Sequence, residues 1–450
     1  MKDFTLAEIA KACNGEYVGD ESLKNTKITS VERDSRQVKD GSLFLAIKGE
    51  RVDGHDFIEK CFAQRAVCAL CEKAPENATK PCIVVPSTLD AVKKIGRAYR
   101  EKFDIPVIGI SGSVGKTSTK EMLYAVLSQK FKTYKTQGNL NNELGVPLTL
   151  LSMPEDTEAA VIEMGISDFG EMTRLSEMVQ PTICVLTIIG ECHLENLGDR
   201  DGVLKAKTEM FKNARENADF ILNGDDDKLS TVKTVNGKKP VFFGLDAKND
   251  FYAKNIKNSG DGKVLATLCF DNNNIDVEIP AIGTYMVTNA LAAAAAGKLL
   301  GLTDEEIANG VASYKTVGSR ANVIDTGKIK IIDDCYNANP TSVRASLDTL
   351  SNLDGRKVAI LGDMKELGSE ELKLHFDTGV YAKSKGIGTV ITVGELAKEL
   401  AKGANGKAFD TIEDAKSEIL KTIKSGDVVL VKASHSMQFE NIVEFLKQNF

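Results

Sequence analysis

Long apolar runs are missing from this 450-residue chain. No stretch of about 18 consecutive apolar residues occurs, so no membrane-spanning helix is expected. The opening residues, Met1-Lys2-Asp3-Phe4-Thr5, lack the basic start and apolar core of a secretion signal, which predicts a cytoplasmic protein. Excess positive charge is also lacking. The formal net charge is −7, which argues against non-specific binding to nucleic acid or to an anionic membrane; an anionic ligand would need a locally positive site. The nine cysteines are odd in number and scattered, and they read as free thiols rather than a disulfide framework. Cys68-Ala69-Leu70-Cys71, with Cys61 and Cys82 nearby, has some of the spacing of a zinc knuckle. Residues 66–71 read better as a short apolar strand, in which cysteine is a common core residue. Low-complexity segments and solenoid repeats are absent. So is the Asn-Lys-x-Asp motif with which GTP switches read guanine.

What is present is ordinary globular material, 42% hydrophobic and 27% charged. Its most informative part is Gly109-Ile110-Ser111-Gly112-Ser113-Val114-Gly115-Lys116-Thr117. An apolar run at 105–110 reads as a buried strand, and the residues from Ser118 to 127 read as a helix. Strand, glycine-rich turn, Lys-Thr and helix is the context of a phosphate-binding loop. Glycines let backbone N–H groups approach phosphates, and the helix N-terminus adds partial positive charge. Lys116 can reach the β- and γ-phosphates, and Thr117 can ligate Mg²⁺. The outer glycine, Gly109, stands one residue early for the strict G-x-x-x-x-G-K-T pattern, while the inner Gly112 to Thr117 segment is intact.

Three α/β domains are expected, over 1–103, 104–320 and 321–450. The first holds short strands at 42–47, 66–71 and 82–85, closed by a helix over 88–103. The second is a mostly parallel phosphate-loop sheet with buried strands at 159–162 and 182–186. A hairpin of 264–270 and 275–279 is placed at the edge of that sheet, and an alanine-rich helix over 289–296 packs closely on something. The third is a Rossmann-like parallel domain, with strands beginning near 328, 357, 388 and 427 and helices at 367–385 and 412–423.

Ligands of open parallel sheets bind at the carboxyl ends of strands. Glu163 stands at one such end and could hold Mg²⁺, or be a solvated strand-end acid. His193, one of only four histidines, follows the strand 182–188 on the same edge as Lys116 and Glu163; a site role and a structural role are both open. Lys207 reads as part of a solvated helix face. Asp333-Asp334-Cys335-Tyr336-Asn337-Ala338-Asn339-Pro340 is dense in hydrogen-bonding groups and leads into a helix at Thr341, so part of it is helix capping and the rest reads as a ligand site. Leu361-Gly362-Asp363-Met364-Lys365-Glu366-Leu367-Gly368 stands at the equivalent end of the next strand.

Taken together these motifs resemble the Mur ligase family, ATP-dependent amide-forming enzymes of peptidoglycan synthesis. The resemblance covers the whole chain. Asp34-Ser35-Arg36, Leu43-Phe44-Leu45-Ala46-Ile47-Lys48-Gly49 and Asp53-Gly54-His55-Asp56-Phe57 are similar to the family's uridine-binding domain. Asn139-Leu140-Asn141-Asn142-Glu143-Leu144-Gly145-Val146-Pro147 matches its central loop. The segments 333–340 and 361–368 resemble the branch that adds D-alanyl-D-alanine. The resemblance implies ATP contacts at Gly112, Ser113, Val114, Gly115, Lys116, Thr117, Ser118, Asn289 (adenine), Arg320 and Asp334. It implies two Mg²⁺ ions, one held by Thr117 and Glu163 and a second served by His193 and by Lys207 carbamylated with CO₂. It places a UDP-muramoyl tripeptide against Ser35, Arg36, Phe44, Lys48, Gly49, Asn139 and Asn142, and D-alanyl-D-alanine against Tyr336, Asn337 and Asn339. The implied catalytic set is Lys116, Glu163, His193 and Lys207, in an enzyme expected to be monomeric. Its reaction would form an acyl phosphate that the amine of D-alanyl-D-alanine attacks, giving the pentapeptide, ADP and phosphate.

The chain departs from the family at several points. Val114 stands where a polar residue is frequent, and Ile188 replaces an asparagine. Tyr285-Met286 occupies the place of His-Asn, and Lys432-Ala433-Ser434-His435-Ser436-Met437 differs from Lys-Gly-Ser-Arg. None of these removes a phosphate or metal group. They bear on the affinity for adenine and substrate, not on the reaction class. The competing readings are another muramoyl-peptide or folylpolyglutamate-type ligase, a P-loop nucleotide switch, and an inactive ligase paralogue.

Overall fold

The computed structural model describes residues 1–49, 51–259 and 262–450, and these residues form four sheets. The first sheet runs in the order Glu16–Val18, Cys82–Val84, Cys68–Cys71, Ser42–Leu45, Ser30–Glu32, parallel except for Glu16–Val18 at its edge. Cys68–Cys71 is a wholly buried strand, as its apolar run predicts, and all nine cysteines are buried and free of disulfides. Helix Thr88–Arg100 closes the sheet. It buries Ala91, Val92, Ile95 and Tyr99, a stripe at helical spacing.

Arg100, fully buried at the end of that helix, joins the first unit to the central one. Its guanidinium donates to the carbonyls of Phe103 (2.7 Å), Val179 (2.9 Å) and Gln180 (3.3 Å). The last two stand at the C-terminal end of helix Glu171–Val179, where carbonyls lack intrahelical partners and a cation offsets the helix dipole. Burial pushes the Arg100 pKa down to about 10, so the carbonyls hold a costly charge. Arg100→Met should remove about 3 kcal/mol of stability, because buried carbonyls lose their donor. Calorimetry is expected to show a midpoint several degrees lower, partly restored in Arg100→Lys. An unchanged midpoint would mean that water replaces the guanidinium.

The central sheet has six strands, all parallel, in the order Val241–Phe243, Asp219–Asn223, Ile183–Leu186, Val107–Ser111, Ala159–Glu163, Thr133–Lys135. The connections leave Ile183–Leu186 and Val107–Ser111 toward opposite edges of the sheet, which opens a crevice at the carboxyl ends of these two strands. Gly109 belongs to the strand and not to the loop. A Cβ there would stand 2.7 Å from Met164 and 3.0 Å from Pro181, so this glycine serves close packing. That accounts for its irregular spacing from the phosphate loop.

The hairpin of Val264–Phe270 and Asn273–Ile279 does not extend the central sheet. With Tyr252–Asn258 it forms a separate three-stranded antiparallel sheet. Its last strand alternates, burying Ile275, Val277 and Ile279 and exposing Asn274, Asp276 and Glu278. Such a strand has one apolar face, whereas the central strands are buried on both. That face shares a core with the alanine-rich helix Tyr285–Leu299, which packs on helix Lys116–Leu127. The turn is two residues long, Asp271 and Asn272, both in the left-handed region.

The third large sheet runs Asn322–Asp325, Lys330–Asp333, Asp427–Lys432, Arg356–Gly362, Thr389–Val393, Lys407–Phe409. All its pairings are parallel except that of the first strand. The two edge strands, Asn322–Asp325 and Lys407–Phe409, escape a reading of the sequence because they are short and mostly exposed, with no apolar run.

Candidate active site

The central crevice and the third unit enclose one cavity of about 790 Å³. Its floor is the phosphate loop. Gly112 sits at φ 149°, where a Cβ would fall 1.9 Å from Thr187 Oγ1, so only glycine fits. Gly115 adopts the left-handed conformation immediately before helix Lys116–Leu127, whose first turn has no side-chain cap. Those first N–H groups are therefore available to an anion. The loop is braced from the neighbouring strand end. Thr187 Oγ1 donates to the Val114 carbonyl (2.6 Å), and Ser113 N–H donates to the Ile188 carbonyl (2.8 Å). The contribution of Ile188 to the brace is its backbone carbonyl, so the apolar side chain at that position costs the brace nothing. Lys116 folds back over the loop, its Nζ 2.8 Å from the Gly112 carbonyl. Burial lowers the Lys116 pKa, and the nearby Glu163 charge opposes that shift.

Glu163 is the last residue of its strand and is fully buried. Thr117 Oγ1 donates to both of its oxygens (3.2 and 3.0 Å), and Asn141 Nδ2 donates to Oε1 (2.8 Å). The reading of Glu163 as a solvated acid is thereby excluded. Thr117 and Glu163 meet at one point through their oxygens, the donor type that a hard divalent cation requires.

His193 lies in the same cavity, in a left-handed backbone conformation before the short helix Leu194–Leu197. Its Nδ1 is 2.6 Å from Glu366 Oε2 of the third unit, off the line that a ring N–H would need, so the two side chains touch without a ring hydrogen bond. Glu366 is also left-handed (φ 64°). Two non-glycine residues in this sparsely populated region thus face each other across the seam. The seam is closed further by Thr341 Oγ1, which donates to Glu191 Oε2 (2.6 Å).

Lys207 corrects its sequence reading. It is 1% exposed, not a solvated face, and no hydrogen bond or ion pair holds its ammonium among the described residues. Burial pushes its pKa down to about 8, with the Lys116 charge adding to the shift.

The third unit supplies the cavity's other wall. Arg320 Cζ lies over the Tyr336 ring, 4.0 Å from its centre, and the His435 ring centre is 5.5 Å from the same point. Asp334 is held by Lys432 Nζ (2.6 Å), Ser346 Oγ (2.6 Å) and the Ala321 N–H (3.1 Å). Asn339 caps helix Pro340–Ser351, and Asn337 accepts from the Ala338 N–H, so parts of both side chains serve local structure. Asn289 reaches the cavity with its amide engaged. Thr119 Oγ1 donates to Oδ1 (3.0 Å), and Nδ2 points to the Met286 sulfur (3.4 Å), a weak acceptor.

Of the residues assigned to the UDP-muramoyl tripeptide, only Asn142 lines this cavity. Asn139 is exposed on the adjoining loop. Ser35, Arg36, Lys48 and Gly49 lie outside it on the first unit, where Arg36 makes a bidentate pair with Asp34. Phe44 is a core residue, 1% exposed, and cannot stack on a ligand without leaving its cluster.

Several lining residues carry no earlier assignment. Asn223, Asp225, Asp226 and Asp227 follow the apolar strand Asp219–Asn223, and that strand-end position was the available signal. Lys120 gave none, because a lysine inside a helix reads as surface. It is 1% exposed.

His375 supports the loop that carries Glu366. Its Nε2 accepts the Met364 N–H (2.9 Å), and its Nδ1 lies 2.6 Å from the Glu371 carbonyl, which fixes the neutral Nδ1–H tautomer. Burial pushes its pKa below the ordinary value of 6.5. Between the ordinary and the lowered value the unfolded chain binds more protons than the native one, so this contribution is complete above 6.5 and is lost as pH falls through that window. Thermal midpoints between pH 7 and 5 should fall more steeply in the wild type than in His375→Gln. Parallel curves would remove His375 from the acid sensitivity.

Family models match nearly end to end: Mur ligase family, catalytic domain, at 27–101; Mur ligase middle domain at 110–297; and Mur ligase, glutamate ligase domain, at 319–435. With the phosphate loop, Glu163 and His193 gathered in one cleft, and with a full-length relative above 30% identity, the chain belongs to the Mur ligase family. That relative is the UDP-N-acetylmuramoyl-tripeptide–D-alanyl-D-alanine ligase of Bacillus subtilis (strain 168), 36% identical over 98% of each chain. The crystal structure I of MurF from Acinetobacter baumannii is 32% identical, with a TM-score of 0.92 over 100% of this chain and 99% of that one. MurF ligase from Thermotoga maritima in complex with ADP is 30% identical, with a TM-score of 0.84 over 93% and 97%.

Proposed function

We propose that the protein joins D-alanyl-D-alanine to the carboxyl end of a UDP-N-acetylmuramoyl tripeptide, with ATP converted to ADP and phosphate, in peptidoglycan synthesis. The observation that carries this reading is the single cavity in which Lys116, Thr117, Glu163 and His193 meet Arg320, Asp334, Tyr336 and Asn337. The names of full-length relatives point to the same reaction.

The phosphate loop amides and Lys116 bind the ATP phosphates and draw charge from the γ-phosphoryl group as it passes to the tripeptide carboxylate. Arg320, Asn289 and Asp334 hold the nucleotide. Thr117 and Glu163 hold one Mg²⁺, and His193 with carbamylated Lys207 holds a second; when bound, the metal adds positive charge at the transferring group. Supporting this are the shared oxygen donors of Thr117 and Glu163 and the buried, unpaired amine of Lys207. Tyr336, Asn337 and Asn339 orient D-alanyl-D-alanine, whose amine displaces phosphate from the acyl phosphate. The contacts His193–Glu366 and Thr341–Glu191 draw the third unit over the cavity and so limit the water that would hydrolyse that intermediate. Ser35, Arg36, Lys48, Gly49, Asn139 and Asn142 bind the UDP-muramoyl part, with Phe44 acting beneath them as core. The division at 1–103, 104–320 and 321–450 is supported by the sheets, each of whose strands fall within one interval. No helix among the described residues is long and apolar enough to cross a membrane; action in the cytoplasm as a monomer is part of the proposal.

The test is phosphate release from ATP and Mg²⁺ with UDP-muramoyl tripeptide, with and without D-alanyl-D-alanine, and the product identified by mass. Release that requires both, with a pentapeptide product, is expected. ATP binding without release in the presence of both would overturn the assignment.

A further inference from the structure

Lys120 stands on the inner face of the phosphate-loop helix and is 1% exposed. Its ammonium lies 3.4 Å from Glu163 Oε2, 3.4 Å from Glu121 Oε1 and 3.2 Å from the Gly138 carbonyl. Gly138 belongs to the 136–142 loop, and that loop touches Glu163 twice more. Asn141 Nδ2 donates to Oε1 (2.8 Å), and the Glu163 N–H donates to Thr136 Oγ1 (2.9 Å). Glu121 is paired in turn with the half-buried Lys135, so the buried Lys120, Glu121 and Glu163 form a cluster that Lys135 completes at its edge. Charge balance alone would not require Lys120 to bond to a loop carbonyl. A buried cation that bridges a backbone carbonyl and a carboxylate fixes the distance between them, because releasing either end leaves an uncompensated group out of water.

We infer that Lys120 is a positioning residue that clamps the 136–142 loop to Glu163, so that the order of the loop and the aim of the carboxylate are a single property. The loop carries Asn139 and Asn142 on the tripeptide side, while Glu163 faces the nucleotide side. Lys120 therefore ties the two halves of the cavity without touching either substrate. Only the magnesium readout below rests on the proposed role of Glu163; the readout on the metal-free protein does not.

The experiment compares wild type, Lys120→Met, and Lys120→Met combined with Glu121→Gln, which restores the charge balance of the cluster. Two quantities are measured. One is amide hydrogen exchange of residues 138–142 and Gly165 in the protein without ligands. The other is the Mg²⁺ concentration that gives half of the thermal stabilisation by a non-hydrolysable ATP analogue. Lys120→Met should speed exchange in the loop and raise the Mg²⁺ requirement by about tenfold, and the double variant should do the same. Wild-type values in Lys120→Met, or their return in the double variant, would overturn the inference, the second result assigning Lys120 to charge balance alone. If Lys120→Met does not fold, the double variant decides by itself. A wild type whose stabilisation ignores Mg²⁺ would count against the metal role of Glu163, and the exchange result would still decide the role of Lys120.

Discussion

Lys116→Ala is expected to lower phosphate release by about 1,000-fold or more, mainly in kcat, with the fold intact. The ammonium rests on the Gly112 carbonyl at 2.8 Å, and that is its one hydrogen bond among the described residues. A half-buried cation held by a single neutral oxygen is under-compensated; desolvation lowers its pKa, and the nearby Glu163 charge only opposes that shift. A phosphate supplies the missing negative charge. The demand grows as the phosphoryl group moves, so the loss falls on the chemical step more than on ATP affinity. Without nucleotide the variant should melt no lower than the wild type, since alanine removes a desolvated charge. Stability unchanged and turnover lost is the combination that separates a phosphate ligand from a structural lysine. Near-normal turnover would place the phosphates elsewhere.

Lys207→Ala is expected to be almost inactive, down by about 1,000-fold, and partly restored by millimolar formate or acetate. The side chain is buried and unpaired, and a pKa pushed down to about 8 leaves part of the amine neutral near physiological pH. Only the neutral amine can add to CO₂: the nitrogen lone pair forms the C–N bond, one proton leaves, and a carbamate anion replaces a cation. Lys207 already feels the Lys116 charge, so exchanging a second positive charge for a negative one relieves repulsion and creates a metal-binding oxygen pair. A small carboxylate diffusing into the cavity of the alanine variant would reproduce that anion. Carbon-13 spectroscopy with labelled bicarbonate should show a carbamate in the wild type and not in the variant. Full activity of Lys207→Ala without additive would remove this residue from the mechanism.

Both predictions begin from a motif, but they differ in how visible that motif is. Around Lys116 the pattern is local: apolar strand, glycines, Lys-Thr and helix are contiguous, and each has one conformation that suits it. The strands at 159–163 and 183–186 were equally legible, because strands buried on both faces are continuous apolar runs. Glu163 and His193 followed, since a parallel sheet brings its strand ends to one edge. The strands Asn322–Asp325 and Lys407–Phe409 were not legible, because edge strands need no apolar face. The hairpin was read correctly as a hairpin and attached to the wrong sheet, because local alternation says that a face is buried without saying against what.

By itself the sequence determined the three-part α/β organisation, the phosphate loop and the strand-end acid and histidine, all products of short-range pattern. Only the tertiary structure decided which charges are buried. Lys207 read as surface, and Lys120 drew no reading, because a lysine's usual place is in water; what overrides that preference is the packing of elements distant in sequence. The seam between His193 and Glu366, and the engagement of Asn289 by Thr119 and Met286, were likewise decided there. Contacts between units depend on how rigid bodies dock, and no periodicity within a single segment records that.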